Sequence, residues 1–308
     1  MDTILGAGGP IGNELAKILT ARNAPVRLVS RNPKPLPGAE VHVADLSNRE
    51  ETLRAVAGSS VVFLLAGLKY DIGVWRQLWP LIIENVVEAC KRAQAKLIFF
   101  DNVYMYGKVD GPMTEQTPYN PCSKKGEVRA RIATMLMAEA KAGNLKAMIA
   151  RSADFYGPKT RNGVPNMLVF EALAKGATPS WLANADVPHS LTFTPDAALG
   201  LDVLARSDSA WNQAWHLPTA PDPPTGREFI AMAAREFGVP SKVRILGRPT
   251  IRIVGLFNSE VRESYEMLYQ NDRPYLFDSS KFVREFGFAG TPYPEGIHIA
   301  AESYRSKT

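Results

Sequence analysis

Three glycines, Gly6, Gly9 and Gly12, stand three residues apart close to the start of the chain. The apolar residues before them are typical of a buried strand and those after them of a helix, so the glycines occupy a strand-to-helix turn. In such a turn one glycine permits the sharp bend, one lets the backbone approach a pyrophosphate, and one lets the helix pack closely on the sheet. Unpaired N–H groups at the helix start favour phosphate. The turn therefore predicts a dinucleotide site formed by Gly6, Gly9, Pro10, Ile11 and Gly12; the alternative is a tight connection without a ligand.

The ends of the next two strands could bind the adenosine half of such a ligand. Arg31 follows a short apolar strand over 26–30. An acidic residue at this strand end binds the ribose 2′-hydroxyl of NAD, whereas an arginine suits a 2′-phosphate. Arg31 therefore favours NADP, with NAD as the second choice; the alternative is an exposed arginine in a proline-rich loop. Asp45 and Leu46 follow the third strand, where the carboxylate could reach an adenine amino group or cap the next helix.

Two further strand ends point to the same crevice. The continuous apolar run 61–66 is typical of a parallel strand covered on both faces, and Ala66 and Gly67 end it. Asn102 follows the next buried strand, over 97–100. Ligands of parallel sheets sit at the carboxyl ends of the strands, so we expect these residues to converge on the cofactor.

Strands alternate with helices over the first 150 residues, which predicts an α/β fold with a doubly wound parallel sheet. Two long helices are predicted over 72–94 and 123–142. After residue 157 prolines and glycines increase and the strands shorten, which indicates a smaller lobe. We expect a dinucleotide-binding core over 1–157 and a mainly substrate-binding lobe over 158–308, with about 187–216 returning to the core.

Composition argues against several classes of function. The chain has 308 residues and a net charge of +5, but its basic residues are spread along the sequence, so nucleic acid is not the expected partner. No apolar run approaches the roughly 20 residues of a membrane span, and no secretory signal is visible, so we expect a cytoplasmic protein that does not bind membranes. Cys90 and Cys122 lack disulfide or metal spacing, and no other residue set has metal-ligand spacing. Cys90 is expected in the core.

Together the segments resemble one family, the extended short-chain dehydrogenase/reductases, also called the NAD(P)-dependent epimerase/dehydratase group. The resemblance covers nearly the whole chain and rests on the glycine turn, Asp45-Leu46, 62–67, 103–107, Arg151 with Phe155-Tyr156-Gly157-Pro158, 193–198, 278–281 and 286–288. It is specific for the fold and not for the substrate. It implies a Rossmann core with a smaller C-terminal lobe, and a small-molecule substrate held between the two.

The resemblance also implies a catalytic pattern from which this sequence departs. Family members use Ser or Thr after the fifth strand and Tyr-x-x-x-Lys on the next helix; the tyrosine exchanges a proton with the substrate, and the lysine lowers the tyrosine pKa and holds the ribose. Counting from neighbouring motifs places Asn102, Cys122 and Gly126 at these three positions. Asn102 can still bond a carbonyl or a water. Cys122, near a helix start, could have a lowered pKa, or it is simply a small buried residue.

Neighbouring residues could supply the two missing groups. A short slip would bring Lys124 or Lys125 to the nicotinamide ribose, and Tyr104, Tyr106 or Tyr119 could supply the hydroxyl. The alternative is that the two lysines form a surface pair at the helix start and that the tyrosines are packing residues.

The small lobe offers polar candidates for the substrate: Asp154, Lys159, Arg161, Asn162, Asn166, Trp181, His189 and His216. The resemblance implies that the segment after Tyr156-Gly157-Pro158 borders the substrate, which favours Arg161, Asn162 and Asn166. His189 and His216 are expected to make structural hydrogen bonds.

Two functions agree with these features. The first is an NAD(P)-dependent oxidoreductase or epimerase/dehydratase that acts on a carbonyl or carbinol compound, such as a sugar derivative. The second is a regulatory protein that binds the dinucleotide but has lost hydride transfer, because three catalytic positions depart from the pattern. The resemblance further implies a homodimer through the two long helices.

Overall fold

The computed structural model describes residues 1–305 and consists of a large parallel sheet flanked by helices and a smaller lobe. The strands are β1 Asp2–Leu5, β2 Val26–Ser30, β3 Ala39–Val43, β4 Val61–Leu64, β5 Lys96–Asp101, β6 Ala147–Arg151, β7 Asp154–Tyr156, β8 Ser180–Leu182, β9 Leu191–Phe193, β10 Ala214–His216 and β11 Arg244–Leu246. The helices are α1 Pro10–Ala21, α2 Arg49–Val56, α3 Ile72–Ala93, α4 Lys124–Lys141, α5 Glu171–Ala174, α6 Thr194–Arg206, α7 Gly226–Glu236, α8 Arg248–Val254, α9 Ser259–Ser264, α10 Ser280–Phe286 and α11 Tyr293–Arg305.

The central sheet has seven strands in the order β10-β6-β5-β4-β1-β2-β3, all parallel. The strand order reverses at β1, because β2 and β3 lie on one side of it and β4, β5 and β6 on the other. In an open parallel sheet this switch point is where a crevice forms outside the carboxyl ends of the strands. The doubly wound fold predicted from the sequence is confirmed.

Alternate residues of the central strands enter two separate cores. Val62 and Leu64 pack with α2, α3 and α4 on one face of the sheet, and Phe63 packs with α1 and α6 on the other. Successive side chains of a strand point to opposite faces, so a strand covered on both faces reads as a continuous apolar run. This is why the run at 61–66 could be recognised in the sequence.

Side chains fix where the long helices begin. Asp71 accepts a hydrogen bond from Val74 N at the start of α3, and Ser123 accepts one from Gly126 N at the start of α4. These caps satisfy N–H groups that the helix itself leaves unpaired. Both starts fall within one residue of the prediction, and Cys90 is buried in the core as expected.

The later part of the chain contributes both to the central sheet with its helices and to the smaller lobe. Helix α6 packs against α1, and β10 forms the edge of the central sheet beside β6. Helix α10 packs against β10 as well. In the smaller lobe β7 pairs with β9 and β8 with β11, around a core shared with α7 and α11. Among residues 1–305, no helix is both long enough and apolar enough to cross a bilayer.

Candidate active site

Gly6 is required by a close approach between two strand ends. Its N–H donates to the Val29 carbonyl at 2.8 Å, and its φ is +92°, a conformation that favours glycine. A Cβ atom at this position would lie 2.5 Å from the Ala66 Cα. The first glycine of the turn therefore lets the chain segments that follow β1 and β4 approach each other closely at the carboxyl ends of these strands.

The start of α1 is open. Gly9 is the N-cap residue, no side chain caps the helix, and its first turn carries no acidic residue. The first bond of the helix runs from Asn13 N to the Gly9 carbonyl, which leaves the N–H groups of Ile11 and Gly12 without a helical partner. A Cβ at Gly9 would meet only the Gly6 carbonyl, at 3.8 Å. The turn thus offers free donors and space for an anionic group.

The third glycine does not serve the purpose expected from its spacing. A Cβ at Gly12 would lie 3.6 Å from side-chain atoms of Ile4 and Leu65, which is ordinary van der Waals contact. The prediction that the helix packs too closely on the sheet for any residue but glycine is therefore wrong at this position, because alanine would fit.

Arg31 and Asp45 follow the ends of β2 and β3, where the sequence predicted the adenosine half of the cofactor. Arg31 is exposed at the end of β2, near enough to Asp45 to affect the pKa of that carboxyl. Asp45 accepts from the Ser47 N–H at 2.9 Å and the Ser47 hydroxyl at 2.7 Å, and these bonds lower its pKa. It does not cap α2, because Asn48 does. Leu46 is buried in the core, so its side chain is committed to packing and not to a cofactor.

Ala66 and Gly67 lie beyond the end of β4, where the backbone is accessible. Gly67 is exposed, and a Cβ at this position would meet nothing within 4 Å. Neighbouring β5 ends at Asp101, whose carboxylate pairs with Arg129 at 2.5 Å and accepts from Asn102 N at 2.8 Å. Asn102 Oδ1 in turn accepts from Tyr104 N, so its amide nitrogen is left to donate to another group.

The three candidate tyrosines separate into two groups. Tyr106 and Tyr119 both accept hydrogen bonds from the buried Arg151, and Tyr106 also pairs with His216 at 2.9 Å. Their hydroxyl groups are committed to a structural network. Tyr104 is half-buried, and Tyr70 lies close enough to influence the pKa of its hydroxyl. Of the three, Tyr104 is the one that lies closest in sequence to Asn102, just beyond the carboxyl end of β5.

Lys125 does not lie free beside a tyrosine. It is fully buried, and its Nζ contacts carboxylate oxygens of Glu263 at 2.5 Å and Glu266 at 3.0 Å. The same Nζ lies 4.7 Å from the centre of the Tyr70 ring. Its charge is thus balanced by two acids. The surface-pair alternative is correct for Lys124, which is exposed, and wrong for Lys125.

The environment of Tyr104 differs from the one that the family pattern implied. Burial and the nearby Asp154 carboxylate raise the pKa of Tyr104 to about 12. A free lysine would lower the pKa instead. Tyr104 is therefore protonated at neutral pH and acts as a hydrogen-bond donor. Cys122, at the tyrosine position of the pattern, is exposed, so its interpretation as a buried residue is wrong.

Two of the three predicted substrate residues, Asn166 and Arg161, lie beside Tyr304 of α11. Asn166 is fully buried; its amide bonds both backbone groups of Gly157, at 2.8 and 3.3 Å, and the Tyr304 hydroxyl at 3.0 Å. This structural role contradicts its prediction as a substrate contact. Arg161 and Asn162 are exposed, and Arg161 lies close enough to Tyr304 to affect its pKa. Tyr304 belongs to α11.

A family model described as the NAD dependent epimerase/dehydratase family matches residues 3–198. The chain belongs to this family. The match includes the glycine turn, Asn102 and the start of α4. No curated protein sequence gives a significant match.

Solved structures of this family's fold superpose on the whole chain. The UDP-glucose 4-epimerase of Thermus thermophilus, in complex with NAD, has a TM-score of 0.81 at 19% identity, with 100% of each chain covered. The UDP-N-acetylglucosamine 4-epimerase of Bacillus cereus has a TM-score of 0.79 at 15% identity, over 100% of this chain and 97% of the other. The dTDP-glucose 4,6-dehydratase of Streptomyces venezuelae, with NAD bound, has a TM-score of 0.80 at 17% identity, over 100% and 98%. These similarities show a common fold.

Several residues at the site of this epimerase/dehydratase family member carried no signal in the sequence. Glu263 and Glu266 reach Lys125 from 138 and 141 residues away, and Tyr70 reaches Tyr104 from a loop. No motif marks such long-range partners. No group of His, Cys, Asp or Glu within residues 1–305 is arranged to hold a metal ion.

Proposed function

We propose that this protein binds NADP at the glycine turn and uses it in the oxidoreduction or epimerisation of a carbonyl or carbinol compound. The observation that carries the proposal is the open start of α1. Free N–H groups of Ile11 and Gly12 face the crevice at the switch point, and Asn102 and Tyr104 follow β5 at the same edge of the sheet. Phosphates bind at such helix starts, which fits the family to which the chain belongs.

The preference for NADP rests on Arg31. Its guanidinium is exposed at the end of β2, and its one charged neighbour described above is Asp45. A planar guanidinium suits a phosphate better than a hydroxyl. Asp45 lies nearby and can bond the adenine amino group.

The chain's own residues favour reduction of a carbonyl. A nicotinamide supplies or accepts a hydride at its C4 when bound. In the direction of reduction, a hydride adds to the carbonyl carbon and the oxygen takes a proton from Tyr104, which the raised pKa keeps protonated. The amide nitrogen of Asn102 can hold the same oxygen.

A regulatory function remains the second candidate because of one specific observation. Lys125 is neutralised by two acids and cannot lower the pKa of Tyr104, so the base that the family pattern implied is not formed. A protein of this kind would bind the dinucleotide without turnover. We also propose a homodimer through α3 and α4, as the resemblance implied, which sedimentation equilibrium at micromolar protein would test.

The first experiment is a binding titration with NADPH and NADH in parallel, on the wild type, Arg31→Asp and Arg235→Asp. Arg235→Asp is the control, because it makes the same change of charge at an exposed arginine of α7, in the small lobe. We expect NADPH to bind at least tenfold more tightly than NADH, and only Arg31→Asp to reverse the order. Binding of neither nucleotide would contradict both functions. NADPH binding without oxidation by any of a panel of ketones and aldehydes would favour the regulatory function.

A further inference from the structure

Four exposed apolar side chains follow one another at the end of α8 and in the turn after it. Phe257 is 88% exposed, Leu256 71%, Ile253 60% and Val254 43%. Single exposed apolar residues are common on protein surfaces, but a contiguous group of them indicates contact with a partner or a membrane. We call these four residues the α8 patch.

The α8 patch lies on the outer side of its helical turn. The Leu256 N–H donates to the Ile253 carbonyl at 3.1 Å, so the turn continues beyond the end of α8. Ile251 and Gly255 are buried and mark the inner side. Residues three and four apart are neighbours on a helical surface, which places Ile253 beside Leu256 and Phe257. A surface helix of a globular protein normally has polar residues on this outer side.

Basic residues flank the α8 patch in the sequence. The segment 242–262 has one acidic residue, Glu260, and five basic ones, which are Lys242, Arg244, Arg248, Arg252 and Arg262. The whole chain has a net charge of +5, so most of its excess positive charge belongs to this segment. All five basic residues are exposed. Arg248 pairs with Asp272 at 2.6 Å, and Arg273 shares the same carboxylate. An exposed apolar surface is thus combined with a local excess of positive charge.

This combination favours an anionic lipid surface over a second copy of the chain. In a twofold contact the same surface of each copy meets, so two positively charged segments would be brought together. Anionic headgroups instead complement the arginines, and apolar side chains gain by entering the boundary between headgroups and acyl chains. An apolar face lying in the membrane surface penetrates only about 5–10 Å. The expectation from the sequence that the protein does not bind membranes was based on the lack of a span, which such a contact does not require.

We propose that the protein binds the surface of anionic membranes through the α8 patch. Leu256 and Phe257 insert between the headgroups, and the flanking arginines bind anionic lipids. Binding is reversible, because a small apolar anchor and a basic segment are each weak alone and act together. Salt screens the attraction between the exposed charges, so binding decreases as the salt concentration rises. This surface is separate from the glycine turn, and the proposal does not depend on nucleotide binding.

Co-sedimentation of the full chain with vesicles tests the proposal. One kind of vesicle is phosphatidylcholine alone, and the other is phosphatidylcholine mixed with phosphatidylserine. We expect the wild type to bind the mixed vesicles at least tenfold more tightly than the neutral ones. Phe257→Ser should weaken this binding at least tenfold, whereas the control Val43→Ser, at an apolar residue of β3 that is 67% exposed, should not. Arg252→Glu should also weaken it, and Arg235→Glu, at an exposed arginine of α7, should have a smaller effect.

Three results would overturn the proposal: no sedimentation with the mixed vesicles, equal affinity for both kinds of vesicle, or unchanged binding of Phe257→Ser. Sedimentation equilibrium without lipid tests the other occupant. A dimer of the wild type that Phe257→Ser dissociates would assign the α8 patch to a second copy and would also overturn membrane binding. Urea unfolding of the variants should match that of the wild type, because the substituted side chains are exposed.

Discussion

Gly6 and Gly12 belong to the same turn but have different surroundings. The backbone of β4 leaves no room for a Cβ at Gly6, and its φ of +92° is unfavourable for other residues, whereas Gly12 has space for a methyl group. We expect Gly6→Ala to lower the free energy of unfolding by about 2 kcal/mol or more and to weaken NADPH binding. Gly12→Ala should change stability by less than about 1 kcal/mol.

Urea unfolding and NADPH titration of the two variants measure these effects. Equal losses of stability in both would show that the turn does not have the geometry described. Loss of NADPH binding in Gly12→Ala with unchanged stability would assign that glycine to the ligand and not to packing.

At the residue scale the sequence predicted the position of the glycine turn better than the surroundings of each residue. Glycine spacing marks a turn, but it cannot tell which glycine lacks room for a side chain. Asn166 was expected at the substrate because of its place after a motif, yet its amide is used by Gly157 and Tyr304. A partner 138 residues away cannot be read from a local pattern.

At the scale of elements, the segment of α9 and the turn after it connects the starts of two long helices. Glu263 accepts from Ile72 N, at the start of α3, and Glu266 accepts from Lys124 N and Lys125 N, at the start of α4. Carboxylates are favourable at helix N-termini, where the helix dipole is positive. The pair with Lys125 adds a buried charge interaction to these caps.

Replacement of Lys125 tests this connection. Lys125→Met leaves two partly buried carboxylates without their shared cation, and we expect the free energy of unfolding to fall by about 2 kcal/mol. The matched control Lys124→Met removes an exposed charge and should have an effect below about 0.5 kcal/mol. Chemical denaturation measures both; a larger loss in Lys124→Met than in Lys125→Met would contradict the arrangement.

The elements themselves were well predicted, since buried parallel strands make continuous apolar runs and polar residues begin the helices. Helices α3 and α4 begin within one residue of the expected positions. The small lobe was harder to foresee, because its strands have only three residues each and their pairing is set by contacts between distant segments.

At the scale of the whole molecule, His216 joins the central sheet to the C-terminal segment. Its Nδ1 donates to the Asp278 carbonyl at 2.8 Å, so Nε2 accepts from the Tyr106 hydroxyl. Burial, with Arg151 nearby, lowers the pKa of His216 to about 3. Between this value and the unfolded value of about 6.5, the unfolded chain binds more protons than the folded one.

Stability should therefore be complete above about pH 6.5 and decline as the pH falls towards about 3, with a limiting slope of about 1.4 kcal/mol per pH unit from this group. Urea unfolding at several values between neutral pH and pH 4 measures the slope. His216→Gln should flatten it, whereas His298→Gln, at an exposed histidine, should not. Parallel pH profiles for the wild type and His216→Gln would contradict this assignment.

The burial of Lys125 also constrains the order in which the molecule can be completed during synthesis. Glu263 and Glu266 leave the ribosome 138 and 141 residues after the lysine that they neutralise. Until they emerge, a nascent chain with β1 to β6 already paired must keep Lys125 hydrated and the start of α4 open. The glycine turn between β1 and α1 can thus form early in translation, while the start of α4 closes only when the chain is nearly finished.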